Sequence, residues 1–147
     1  MCLKNGRMAT IEECQELRRG WKIMRLAKSD DYPAYNGPCG FNGLPMYYAG
    51  TYYYAQTAIE YMADKPSYKY PTGFHICTDR ESALKWAGLM VGQQDDKRPW
   101  VIVEVTYTGL MLVGKDAGDS NVHVASRITF DYNYELLTFD KSRRITN

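Results

Sequence analysis

The sequence predicts an α+β fold: a mainly antiparallel, curved sheet of about six strands with two or three helices packed on it. Three observations predict it. Residues 100–107 and 122–130 alternate with the period of half-buried strands. The strands cluster late in the chain and are joined by short turn-rich connections, as antiparallel sheets are. Residues 70–91, YPTGFHICTDRESALKWAGLMV, hold a turn, a short apolar strand and a capped helix, whose apolar faces need partners. The sheet is expected to be strongly curved or split in two.

Taken in order, residues 1–9 read as a flexible arm. Thr10 and Glu13 have capping-box spacing, and Ile11, Cys14 and Leu17 give the following short helix one apolar face. Arg18, Arg19 and Gly20 suit its C-terminal end. Residues 21–26 (WKIMRL) read as a strand that places Trp21, Ile23 and Arg25 on one face. Residues 29–70 form a long tyrosine-rich insertion, irregular through 29–45, where three Pro and three Gly fall. Within it, 46–54 suit a strand pair around Gly50 and 55–63 a helix, with loop again over 64–70. Phe74 to Cys77 form a strand; Thr78 caps the next helix with Glu81 three residues on, and Ala83, Ala87, Met90 and Val91 line its apolar stripe. A polar connector over 92–99 follows.

In the late half, Val101, Val103, Val105 and Tyr107 face the core while Ile102, Glu104 and Thr106 take the other side. Gly109 and Gly114 bracket a further short strand, and 115–121 is a turn-rich loop. Val122, Val124, Ser126, Ile128 and Phe130 then share one face, with His123, Ala125, Arg127 and Thr129 opposite. Residues 131–133 make a turn, 134–139 pair back as a last strand, and 141–147 are a frayed tail. One domain over 1–147 is the economical reading.

Composition narrows the function classes. Lys and Arg total 18 against 17 Asp and Glu, for a net charge of +1. That gives no bulk electrostatic case for nucleic acid or a membrane surface. The four cysteines lack CxxC spacing, so neither a zinc site nor any other metal site is expected. No signal peptide or apolar span is visible, and the expectation is reduced thiols in the cytoplasm, with Cys77 packed in the core.

Tyrosine is the outlier, with 13 residues, ten of them between Tyr32 and Tyr70. A tyrosine offers a flat apolar ring and a hydroxyl, which suits stacking on a base while bonding its edge or a ribose. The same residues equally suit a covered sheet edge or a protein-binding surface. Arg25 on an apolar face is either an inward anion clamp or a snorkelling edge residue. His75, between Phe74 and Ile76, points to the face opposite them. Arg127 could hold a phosphate bidentately, and Glu104 could act as a base or hold a ribose hydroxyl. The candidate ligand-binding set is therefore Arg25, Tyr47, Tyr52, Tyr54, Tyr70, His75 and Arg127. No GxGxxG, Walker loop, GxSxG or HExxH is present.

Two resemblances add to this. Met1-Cys2-Leu3, Trp21-Lys22, Gly73-Phe74-His75 and Val124-Ala125-Ser126 resemble, in type and order, small phage and bacterial proteins with a central GFH motif. Those proteins have no settled activity to transfer, and the extended tyrosine loop departs from their pattern. Locally, GFHICTDRESALKWA is similar to the GFY-x-T segment and A-x-x-WA helix of ADP-ribosyltransferase-like domains. That resemblance implies an NAD-using site in which Arg25 grips phosphate or ribose, with Glu104 the nearest carboxylate to orient the ribose. The Ser-Thr-Ser signature and an E-x-E pair are absent. Three readings stay open. The leading one is a cofactor-free, non-enzymatic binder of a small nucleotide-type ligand, such as a phage protein sequestering a host immune signalling nucleotide. The others are a transferase using NAD through Arg25, His75 and Glu104, and a phage inhibitor docking on a host protein. An exposed tyrosine-rich surface also makes a homo-oligomer an expectation.

Overall fold

The structure, a computed structural model, describes residues 3–41, 44–55, 59–61, 69–71, 73–90, 98–116 and 118–138. In chain order its elements are β1 (Leu3–Met8), α1 (Ile11–Gln15), β2 (Arg18–Lys28), β3 (Ala34–Phe41), β4 (Leu44–Tyr48) and β5 (Tyr52–Tyr54). Then come β6 (Ile59–Tyr61), β7 (Lys69–Pro71), β8 (Phe74–Cys77), α2 (Arg80–Met90), β9 (Trp100–Asp116) and β10 (Asn121–Leu136). The α+β expectation holds in outline: among the described residues an antiparallel sheet dominates, and two helices accompany it. The sheet has eight strands, more than expected, and β6 pairs with β7 in a separate two-stranded piece.

The hairpin of β9 and β10 organises the rest. β2 lies against the first half of β9, with Arg18 opposite Tyr107 and Arg25 opposite Trp100. β1 lies against the second half, with Met8 opposite Leu112. On its far side β10 carries β8 along 122–125 and β5 along 127–129. Cys77 of β8 also pairs with Trp21 of β2. A ring of pairings through β2, β9, β10 and β8 results, and the sheet curls back on itself. Register irregularities between Val124 and Ala125 and between Phe130 and Tyr134 supply the bends. Gly109, at φ +69°, lies at the first of them.

Three apolar clusters fill the fold. The largest holds Met24, Val101, Val103, Val105, Tyr107, Ile128 and Phe130 inside the curl, with Tyr35. A second packs Ala83, Trp86 and Ala87 of α2 on Ile23, Ile102 and Cys77. A third gathers Leu3, Leu112, Val122 and Val124.

Several expectations are corrected. Residues 3–8 are not an arm: they pair with β9, and Leu3 is fully buried, worth about 1.5–3 kcal/mol of apolar burial. The Thr10–Glu13 capping box forms, but α1 buries no residue, and Ile11 and Leu17 are exposed. Gly20 is no helix cap. It lies in β2, where a Cβ would run into Ile76 and the Cys77 carbonyl. The stretch expected as irregular holds β3 and β4. β4 and β5 do not pair with each other around Gly50 but join β3 and β10. Within the expected helix over 55–63, Ile59–Tyr61 are strand β6 and the Ala55 amide donates to the Ser126 carbonyl, and Lys69–Pro71 are β7. The cap of α2 is Asp79, not Thr78: its Oδ1 accepts the Ser82 amide at 2.7 Å. Residues 110–113 continue β9, and 131–133 are a bulge within β10. Ala125 is buried and Ser126 only half-buried, the reverse of the expectation, at the register break where β9 carries an extra residue; Ile128 and Phe130 beyond it are buried as expected. The tail over 141–147 lies outside the described residues. No helix among the described residues is long and apolar enough to cross a membrane.

Candidate functional site

The register assembles an outer face on four adjacent strands. Arg19 of β2 pairs with Thr106 of β9, Thr106 with Thr129 of β10, and Thr129 with Tyr52 of β5. The next rung holds Thr108, Arg127 and Tyr54. On the other side of the first rung, Glu104 stands opposite Trp21. Strands about 4.8 Å apart and rungs about 6.8 Å apart make this a shallow, ordered lattice of side chains.

Two hollows share the Thr106–Thr129 pair. One, of about 170 Å³, is lined by Arg19, Glu104, Thr129, Asp131 and Tyr132 with Gly50. The other, of about 30 Å³, is bounded by Leu17, Tyr52, Thr108 and Arg127. Gly50, at φ +78°, is needed because a Cβ there would meet the Tyr132 ring. Tyr32 packs edge-on behind Tyr132, with ring centroids 6.3 Å apart. Arg19 meets Glu104 at 3.2 Å, an exposed pair that costs under about 1 kcal/mol to open. The Arg127 guanidinium lies 5.9 Å from the Tyr54 ring centre. Tyr52 is 75% exposed and Tyr54 70%, so their rings are available to a partner.

The predicted residues therefore separate. Tyr52, Tyr54, Arg127 and Glu104 come together on this face. Tyr47 does not: it stacks on Phe130, centroids 5.3 Å apart, against the main core, since β4 turns it inward. Tyr70 lies in β7 and its side chain is outside the described set. Arg25 is buried, with its guanidinium 4.3 Å over the Trp100 ring and Nε donating to the Arg98 carbonyl at 3.0 Å. Arg98 in turn donates to Asn36 Oδ1. His75 is buried, with Nδ1 3.2 Å from the Gly73 carbonyl. Arg25, His75 and Glu104 are not brought to one place. The Ile23–Ile102 rung, packed in the cluster formed with α2, separates the Arg25 rung from the Glu104 rung, about 13 Å away along the strand.

Away from this face, packing buries other titratable groups. Cys77 is buried as expected, and burial pushes its thiol up to about 12. The Lys22 ammonium donates to the His75 carbonyl at 2.6 Å, and burial lowers it to about 8. The other histidine, His123, meets Tyr107. No group of three metal-ligating side chains occurs among the described residues.

Arg19, Thr106, Thr129, Asp131 and Tyr132 are the site residues that sequence reasoning missed. Alternation over 100–107 did place Thr106 beside Glu104, but only the hairpin register sets Thr129 and Arg19 next to them. Comparison with family models, with curated proteins and with solved structures finds no match.

Proposed function

We propose that the protein binds a small nucleotide-type ligand on the outer face of β2, β9, β10 and β5, and performs no chemistry on it. The observation that carries this reading is the pair of rungs Arg19–Thr106–Thr129–Tyr52 and Thr108–Arg127–Tyr54. They set exposed aromatic rings beside two guanidiniums and three hydroxyls, which is what a base with a phosphate requires. Both histidines of the chain are engaged elsewhere, His75 with Gly73 and His123 with Tyr107. The likeness to phage proteins makes a host signalling nucleotide, held out of circulation, the ligand class to try first. Titration calorimetry with cyclic dinucleotides, nucleoside diphosphates and ADP-ribose tests it. Binding should weaken at least tenfold in Tyr52→Ala and in Arg127→Ala, and the absence of heat across the panel would overturn the reading.

One observation favours a second reading. Leu17, 73% exposed, adjoins Tyr52 in the small hollow, and such an apolar pair also suits docking on a host protein. Leu17→Asp should abolish capture of that protein while leaving nucleotide binding intact.

A further inference from the structure

We infer that the larger hollow is a base subsite and that it selects guanine; this rests on the nucleotide reading above. At about 170 Å³ the hollow has room for about five waters, the size of a base rather than a whole nucleotide. Its polar lining has two kinds of partner. Glu104 and Asp131 only accept hydrogen bonds when ionised, and Arg19 only donates. The Arg19 and Glu104 heads sit 3.2 Å apart, so the two kinds stand side by side on one wall.

Guanine has the matching edge. Its N1–H and N2 amino group are adjacent donors for a carboxylate, and its O6 and N7 are adjacent acceptors for a guanidinium. Adenine would turn its N1 acceptor toward the carboxylate and its N6 amino group toward the guanidinium. Uracil and cytosine fill less of the volume and present shorter edges. A base that lacks the donor pair would cover the carboxylate without replacing the water hydrogen bonds it displaces, and so binds more weakly. The exposed Arg19–Glu104 pair gives up little when a base inserts between its heads.

The rest of the ligand has a direction. Thr106 and Thr129 border both hollows, and Arg127 of the smaller one stands two residues along β10, about 7 Å from Thr129. A phosphate chain leaving the base across the threonine pair would reach that guanidinium, with Tyr52 beside it. Tyr132, braced by Tyr32 and by the absence of a side chain at Gly50, closes the opposite wall.

Calorimetry with GDP, IDP, ADP and UDP tests the assignment. GDP should bind at least tenfold more tightly than ADP or UDP, and IDP, which keeps N1–H but lacks the N2 amino group, should fall between. Glu104→Gln should erase the preference for GDP with an unchanged melting temperature, and Arg127→Ala should weaken all four equally. Equal affinity for the four, or preference for ADP, overturns the guanine assignment while the nucleotide reading stands. Failure of all four together with the cyclic dinucleotides overturns both.

Discussion

Tyr107 and His123 meet inside the curl, with 2.8 Å between the tyrosine Oη and the imidazole Nδ1. Burial first, and then the Arg18 and Arg7 charges against an opposing Glu13, hold the imidazole down at about 4. Burial raises the tyrosine to about 12. Both groups are therefore neutral at pH 7. Because the folded imidazole resists a proton that the unfolded one accepts near 6.5, its contribution is complete above that pH and is lost as pH falls toward 4. Stability measured in urea should drop between pH 7 and pH 4.5 by about 1–2 kcal/mol from this half-buried group, solvent screening taking up part of the full effect. His123→Gln keeps an acceptor for Tyr107 and should flatten that part of the profile.

Gly109 turns the sheet with a left-handed backbone, and a Cβ there would collide with Ser126 Oγ. Gly109→Ala should destabilise by about 2–3 kcal/mol, from backbone strain and the clash together. Adding Ser126→Gly removes the clash alone, so the double variant should recover part of the loss and leave about 1 kcal/mol. Chemical denaturation of the three proteins separates the two contributions.

Arg25 is a structural arginine here. Its planar head stacks on Trp100 and its Nε holds the Arg98 carbonyl, two contacts that an ammonium reproduces poorly. Arg25→Lys should cost about 1–3 kcal/mol and leave ligand affinity of the folded protein unchanged. A variant that folds as stably as the parent but binds nucleotide more weakly would return Arg25 to the site.

Tyr35 reaches from β3 to the site. Fully buried, it donates its hydroxyl to the Asp131 carbonyl at 2.8 Å, and its ring packs on Phe130 at 5.7 Å. Tyr35→Phe leaves that carbonyl without its donor, a loss of about 1–2 kcal/mol. Since Asp131 borders the larger hollow, the same change should also weaken GDP by a few fold while sparing phosphate contacts at Arg127.

The outline of the fold was legible where one residue rule acted alone. The valines of β9 kept strict alternation, and the strand was found; the Thr10–Glu13 spacing gave a real capping box. Misreadings arose where two structures share a local signature. Arg18-Arg19-Gly20 is good helix-end chemistry, yet Gly20 is demanded by the approach of β8 at Ile76 and Cys77, a contact 56 residues away in sequence. Gly37, Pro38 and Gly40 read as loop, and they do fall within the register gap between Asn36 and Phe41, but the flanking residues pair. Bulges hid the continuity of β10: its register against β9 breaks between Phe130 and Tyr134, where two extra residues of β10 read in sequence as a turn. The site was half legible: Tyr52, Tyr54, Arg127 and Glu104 were named, but their neighbours depend on register. Tyr47 and Arg25 were named on residue type, and tertiary packing claimed both.

β9 has a neighbour on each side for nearly its whole length: β10 along one flank, β2 and then β1 along the other. β1, β2 and β10 all depend on that common spine. Its central amides should be the last to exchange with deuterium, and heat should take the described sheet apart in a single calorimetric step, with no surviving half to populate an intermediate.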